Sequence, residues 1–505
     1  MGQSMIWRPR RHNPPSSYIH ISDLVSSVSD LKNPFIDVDK KIVSEIYTSS
    51  EPLDNLKVLC DVYGSRFPGT PGDLESVKFM VERLKSYGIA NACYESYVIP
   101  GWKRGPAQLT MTAPAKKEID CISLPHSIAG EVEGKLIWLG EGAVELYEER
   151  RKEIDGNIVM VSSANPIGMN RPLHRSEKFL RSVLAGARGW IFMNQYPAFG
   201  PQTGAISAII PSISVSYEDG MFLVRTLERE GEVKLRIETT DKNMDVTTYN
   251  VIADVPGTSS SKECVVVGSH YDGHDISQGA EDPASGAVMV MEIARNLQMV
   301  KEGLKRRVRC ICFGAEEIGL YGSYNYVAMH KNEMDDIRFM LNLDSGGSKG
   351  RKGVILHDFP ELEPFITEAA SEMRAELPTF QRVSPYSDHW PFFLKGVPCG
   401  SGGDPELIRT SMGRGFGHSQ YDTVDKVELE YLRLGAANYT RLLYRIANAD
   451  NWKPRRKTQN EIQEFIKKQG YDQTVQLADK VKAYVRTWKH IHPDTEEWLE
   501  SKSDW

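Results

Sequence analysis

Two histidines and four acids crowd one glycine-rich stretch, GSHYDGHDISQGAEDPASG at residues 268–286: His270, His274, Asp272, Asp275, Glu281 and Asp282. Carboxylates gathered so closely are costly unless water or a cation compensates them. More donors follow downstream: Glu316 and Glu317 in FGAEEIGLYGS, Asp344 in NLDSGG, and His418 in GFGHSQYDTVDKV. Singly each motif is weak, since an EE pair is usually a solvated face and DSGG usually a turn. Together they amount to two imidazoles and three carboxylates, a set that suits zinc and, less well, manganese or cobalt. Five ligands exceed what one tetrahedral zinc takes, but one shared carboxylate makes the set right for two ions about 3.5–4 Å apart. The chemistry of such a pair is metal-assisted hydrolysis.

Such a set works only if the fold delivers it to one place. Three of the clusters follow apolar runs of strand character: CVVVGS (264–269), RVRCICFG (307–314) and IRFMLNL (337–343), with GVILH (353–357) as a fourth strand. Helices are expected at about 285–298, 319–331, 360–374 and 428–448. This alternation predicts an α/β fold with a mostly parallel central sheet covered by helices. In open α/β sheets the ligand crevice lies outside the carboxyl ends of the strands. His270, Glu316, Glu317 and Asp344 should therefore converge there. Asp282 would overhang the crevice from the glycine-rich loop, and His418 would reach over it from the loop before the last helix.

At 505 residues the chain is too long for one compact core. Residues 1–40, rich in Pro, Ser and Asp, read as an N-terminal arm. Residues 41–124 read as the first part of the site-bearing domain, with Val77, Met80, Val81 and Leu84 at helical spacing, Asp73 as the cap and Gly88 as the stop. Short strands and helices over 125–240 read as a small inserted α/β unit, 241–450 as the domain with the metal donors, and 451–505 as a polar helical extension carrying Trp488, Trp498 and Trp505. The net charge of −7 argues against a nucleic-acid partner. No apolar run approaches the ~18 residues of a membrane span, and the basic, proline-rich N-terminus does not read as a secretory signal. Seven scattered cysteines suit reduced thiols and a cytoplasmic setting.

The set GSHYD, GAEDPASG, GAEEIGLYGS, LNLDSGG, SDHWPFFLKGVP and GHSQYDTVDKV resembles the M28 family of zinc peptidases, and within it the carboxypeptidase Q-like branch. The resemblance covers roughly 40–120 and 245–450, and 120–240 is similar to the protease-associated (PA) domain such peptidases often carry, IPSISVSYEDG being its most typical piece. The resemblance implies that Asp282 bridges two ions, that His270 and Asp344 complete one and Glu317 and His418 the other, and that Glu316 is the general base. It implies that Asp272 hydrogen-bonds His270 from behind. It also implies that Ser387, Asp388 and His389 line or support the pocket. Tyr386, beside them, reads equally as a phenol donor to a developing oxyanion or as a tyrosine packed on a helix start. One departure stands out: after the bridging Asp, where the family usually has Asn, Asp or Gly, this chain has Pro283. The peptide bond at that point is often cis in the family, so Asp282–Pro283 is expected to be cis. His274, Asp275 and Glu281 are left over and read as solvated or as lying behind the ligands.

These readings favour an exopeptidase on small peptides. An aminopeptidase needs an acidic anchor for a free amine. A carboxypeptidase needs a basic anchor, for which Arg409, Arg414 and Lys395 lie in suitable stretches. The competing readings are a hydrolase of a non-peptide amide, a glutaminyl cyclase-like relative with one zinc, and a non-catalytic scaffold. The full donor set argues against the last two. The tail would pack either on its own domain or on a second subunit, which leaves a homo-oligomer open.

Overall fold

The computed structural model describes residues 32–169, 171–344, 346–404, 415–452 and 454–501. Its first eight-stranded sheet is built on the three predicted strands Cys264–His270, Arg307–Phe313 and Ile337–Asn342, which are parallel neighbours. They are buried almost throughout, which is why they read as near-continuous apolar runs. Cys399–Gly403 adds a further parallel strand. Away from this centre the pairing changes. Lys242–Val255 runs antiparallel to Arg307–Phe313, Cys93–Lys103 antiparallel to Lys242–Val255, and Gly353–Leu356 antiparallel to Cys399–Gly403. The sheet is therefore mixed, parallel at its centre and again where Gly353–Leu356 meets the edge strand Thr379–Gln381, because the antiparallel pairings join segments far apart in sequence that local periodicity does not order.

Helices Ser285–Met299, Tyr321–Met329, Glu363–Met373 and Leu429–Asn448 lie within a few residues of their expected places. Ser285–Met299 is buried nearly all round because it is wedged between the sheet and Leu429–Asn448. The expected arm is shorter than residue 40. Helix Ile36–Thr48 begins inside it, and the buried Asp39 carboxylate accepts from the Arg445 guanidinium at 3.0 and 2.9 Å. Residues 1–31 lie outside the described residues. Helix Pro71–Ser86 buries Val77, Met80, Val81 and Leu84 as predicted, but its cap is Thr70, whose hydroxyl accepts the Asp73 N–H. Asp73 instead accepts from the Gly69 N–H at 2.9 Å and from the Tyr271 hydroxyl at 2.5 Å, tying this helix to the glycine-rich loop.

The second sheet also has eight strands, drawn from Ala107–Ala113 through Lys234–Thr239. It starts earlier than the expected boundary at 125 because Ala107–Ala113 pairs antiparallel with Lys234–Thr239. The chain enters and leaves this unit along one long ribbon, Cys93–Lys103 against Lys242–Val255, paired from Cys93 with Ile252 to Lys103 with Lys242. The extension forms helices Gln459–Gln469, Asp472–Val485 and Pro493–Glu500. Phe465 packs on Phe393 of the first unit, with ring centroids 5.5 Å apart. Leu477, Val481, Val485 and Leu499 enter the core of the second unit beside Phe179 and Trp190. The extension thus straps the two units together, and Trp488 and Trp498 lie at its apolar face; Trp505 is outside the described residues. Among the described residues no helix is long and apolar enough to cross a membrane. All seven cysteines are free thiols.

Candidate metal centre

The carboxyl ends of the three central strands deliver the first donors. His270 is the last residue of its strand and is in register with Phe313, three residues before Glu316. Gly268 is in register with Asn342, two residues before Asp344. Around the buried His270 imidazole, Nε2 lies 3.5 Å from Asp344 Oδ1, 3.7 Å from Asp282 Oδ1 and 3.8 Å from Glu316 Oε2. On the other side of Asp282, His418 Nε2 is 3.5 Å from Asp282 Oδ2 and 3.2 Å from Glu317 Oε2. The two oxygens of Asp282 therefore face two different imidazoles. The Asp282–Pro283 peptide bond is cis, as expected.

Two donor groups result. His270, Glu316 and Asp344 form one, and His274, Glu317 and His418 form the other, with the ligand atoms of each within 4.8 Å of one another. The chemistry fits two divalent cations: neutral imidazole nitrogen and carboxylate oxygen are what such ions take. Two of the donor atoms, His270 Nε2 and Glu317 Oε1, are buried without a hydrogen-bond partner among the described residues. The electrostatics are those of a site built for cations. Burial, with the Glu317, Asp344 and Asp388 carboxylates adding to it, pushes the Glu316 carboxyl well above its usual range against the opposing pull of His270. Glu317 is held well below the usual range in spite of burial, because His274 and His418 flank it.

Several residues fix the donors in place. Asp272 is fully buried, and its two carboxylate oxygens accept the N–H groups of Glu316 at 3.1 Å and Glu317 at 3.3 Å. Toward His270 Nδ1 its nearer acceptor is the backbone carbonyl, at 3.0 Å, with the carboxylate at 3.5 Å. Asp272 thus meets His270 chiefly through its main chain. Ser387 donates to Asp344 Oδ2 at 2.5 Å and accepts from Asn342 at 2.6 Å, so the SDH segment reaches the centre. His389 stacks on His357 at 3.6 Å. His418 adopts a left-handed backbone, φ 64°. It is gripped by the second unit: its Nδ1 is 3.0 Å from Thr203 O, and its carbonyl accepts the Thr203 N–H at 2.9 Å.

Three further groups position the donors, and two of them, Asp422 and Arg66, escape a reading of the sequence. His274 is not solvated: it is 2% exposed, its Nε2 lies 2.9 Å from Glu317 Oε2, and its ring meets His418 edge-on. Asp422 is fully buried and accepts the N–H groups of Ala280, Glu281 and Asp282 at 3.0, 2.7 and 3.1 Å, holding the turn that presents Asp282. Arg66, also buried, donates to the carbonyls of Tyr271, Gln278 and Gly279 and so clamps both ends of the loop. A histidine four residues after His270 is the one available hint; Asp422 and Arg66 act on main-chain groups, which leave no pattern in sequence. Asp275 pairs with Arg104 at 2.7 Å, and Glu281 accepts the Phe416 N–H at 2.8 Å.

Replacing Asp422 by alanine would leave three N–H groups without their acceptor, and the buried one, of Ala280, costs about 1–3 kcal/mol by itself. The expected outcome is a loss of metal affinity of at least about tenfold, read by titration against a competing chelator, with Asp422→Asn intermediate. Wild-type affinity in the alanine variant would show that the turn holds itself.

The centre opens on a cavity of about 1810 Å3, whose walls come from both units and from the extension. Tyr386 lines it half-buried, with its ring stacked on His174 of the second unit at 4.3 Å and its phenol pushed up by burial. Lys395 lies at the cavity edge, exposed to solvent. Arg409 and Arg414 are outside the described residues.

Residues 250–442 match the profile of peptidase family M28. Carboxypeptidase Q of Xenopus laevis is 26% identical over 448 residues, 85% of this chain and 92% of its own length. Aminopeptidase YwaD of Bacillus subtilis (strain 168) is 25% identical over 411 residues, 79% of this chain and 85% of its own. Among solved structures, a peptidase M28 precursor from Shewanella amazonensis SB2B shares the fold, with a TM-score of 0.71 at 22% identity over 83% of this chain and 98% of that one.

Proposed function

We propose that this M28-family metallopeptidase is an exopeptidase on short peptides, and that Asp282 would be the residue shared by two zinc ions when they are bound. The observation that carries the reading is that the two Asp282 oxygens face His270 on one side and His418 on the other. In this reading His270 and Asp344 complete one position, and Glu317 and His418 the other. When bound, the ions polarise the scissile carbonyl and acidify a water.

Glu316 is the general base. Its carboxyl lines the cavity beside His270, and burial raises its proton affinity above that of an ordinary carboxyl. It takes the proton of the attacking water and returns it to the leaving amine. Asp272 aims Glu316 and Glu317 through their main-chain amides. Tyr386, set on the cavity wall by its stack on His174, is the phenol donor to the developing oxyanion.

We read the unit built on the second sheet as the PA-like insertion. Its loops and the strapping helices wall the cavity and limit the length of peptide that enters. The extension spends its apolar faces within the chain, which favours a strap over a subunit contact. The seven free thiols support a reducing, cytoplasmic setting.

Elemental analysis of protein purified without chelators tests the centre. About two equivalents of zinc per chain, with hydrolysis in a panel of dipeptides, is the expected result. One equivalent or none after attempted reconstitution would refute the dinuclear reading.

A further inference from the structure

The names of the two relatives point to opposite ends of a peptide, and one residue of this cavity bears on the choice. Arg382 directly follows the short strand Thr379–Gln381 and lines the same cavity as Asp282, Glu316, Glu317, Asp344 and His418. Its main-chain N–H donates to Leu356 O at 3.0 Å, which pins its backbone to the neighbouring strand. Its guanidinium is half-buried and has no hydrogen bond or ion pair among the described residues.

The other cations on these walls differ. Lys349 pairs with Glu428 at 3.0 Å, Arg175 donates to Ala205 O at 2.9 Å, and Lys482 donates to Ser501 O. Lys331 and Lys395 extend into solvent. Withdrawing a guanidinium from water without a counter-charge costs free energy, and burial weakens the charged form of Arg382 accordingly. A cation kept at that cost in the cavity that also holds the acidic centre is suited to an anion that arrives with the substrate. Guanidinium and carboxylate match as a planar two-point pair. Five residues further along the same segment, Ser387 donates to Asp344, so this wall runs from the guanidinium to a metal donor.

We propose that Arg382 receives the terminal carboxylate of a peptide whose scissile carbonyl lies at the metal centre, so that substrates are selected by a free C-terminus. The assignment rests on the exopeptidase reading. It makes the chain a carboxypeptidase or a dipeptidase that reads the carboxyl end.

The test separates binding from turnover. Glu316→Gln protein loaded with metal is titrated calorimetrically with leucyl-leucine, with its C-terminal amide, and with leucyl-glutamic acid α-amide, whose one carboxylate is on the side chain. The free acid is expected to bind roughly 10- to 100-fold more tightly than either amide. Adding Arg382→Ala or Arg382→Gln should erase that preference by weakening the acid alone, and Arg382→Lys should keep part of it. Both neutral variants should retain their metal and unfold no earlier than the parent, since an unpartnered buried charge is removed. Equal binding of acid and amide, or a preference that survives Arg382→Ala, overturns the proposal. Side-chain carboxylate bound as tightly as the terminal one overturns the assignment to the C-terminus. If wild-type protein with two metal equivalents hydrolyses no dipeptide, the exopeptidase reading falls, while the acid-to-amide ratio still decides what Arg382 holds.

Discussion

Replacing Glu316 by glutamine is expected to lower kcat by roughly 10²- to 10⁴-fold while both metal equivalents are retained. Glutamine keeps the shape of the side chain, and the Glu316 main-chain amide still donates to Asp272. What it loses is the ability to take and return a proton. The geometry makes this a sharp experiment, because Glu316 Oε2 lies 3.8 Å from His270 Nε2 and shares a donor group with His270 and Asp344. A base and a ligand at that place differ in one readout. If elemental analysis of the glutamine variant shows one equivalent gone, Glu316 is a ligand and the proton must travel by another group. If metal content is unchanged and KM moves little while kcat collapses, the loss lies in the transition state.

Asp282→Ala is expected to have the widest effect on metal content. The carboxylate reaches toward His270 through one oxygen and His418 through the other, so its removal strips a donor from both positions at once. It also leaves Glu316, Glu317 and Asp344 gathered without a shared centre, a clustering of buried like charges that is costly. The expected outcome is fewer than about one equivalent of tightly held metal and an activity at least ~10³-fold down. Asp282→Asn, which keeps the shape but not the charge, should retain more metal than alanine. Two full equivalents in the alanine variant would refute a bridging role.

The strands that deliver the donors are legible because they are buried on both faces and read as largely apolar runs, two of them interrupted by arginines, that end at His270, Phe313 and Asn342. The donors themselves are legible because imidazole and carboxylate recur at three successive strand ends, which a parallel sheet brings to one crevice, and only a cation offsets so much negative charge there. What lies beyond reach is set by distance along the chain. The ribbon that turns a parallel sheet into a mixed one pairs Cys93 with Ile252, and nothing local to either segment announces the other. Thr70 displaces Asp73 as the cap because the Asp73 carboxylate is engaged by Tyr271, almost two hundred residues away. Asp422 and Arg66 sit in loops whose composition is that of ordinary solvated turns. Their significance comes from the amides and carbonyls they meet, and every residue has those. His274 is legible only as one of two alternatives, solvated or behind the ligands, and the fold selects the second by burying it against His418.

The grip of Thr203 on His418 makes the second unit a party to the placement of a metal donor. Whatever swings the second unit away also takes the hydrogen-bond acceptor from an imidazole that faces Asp282 and Glu317.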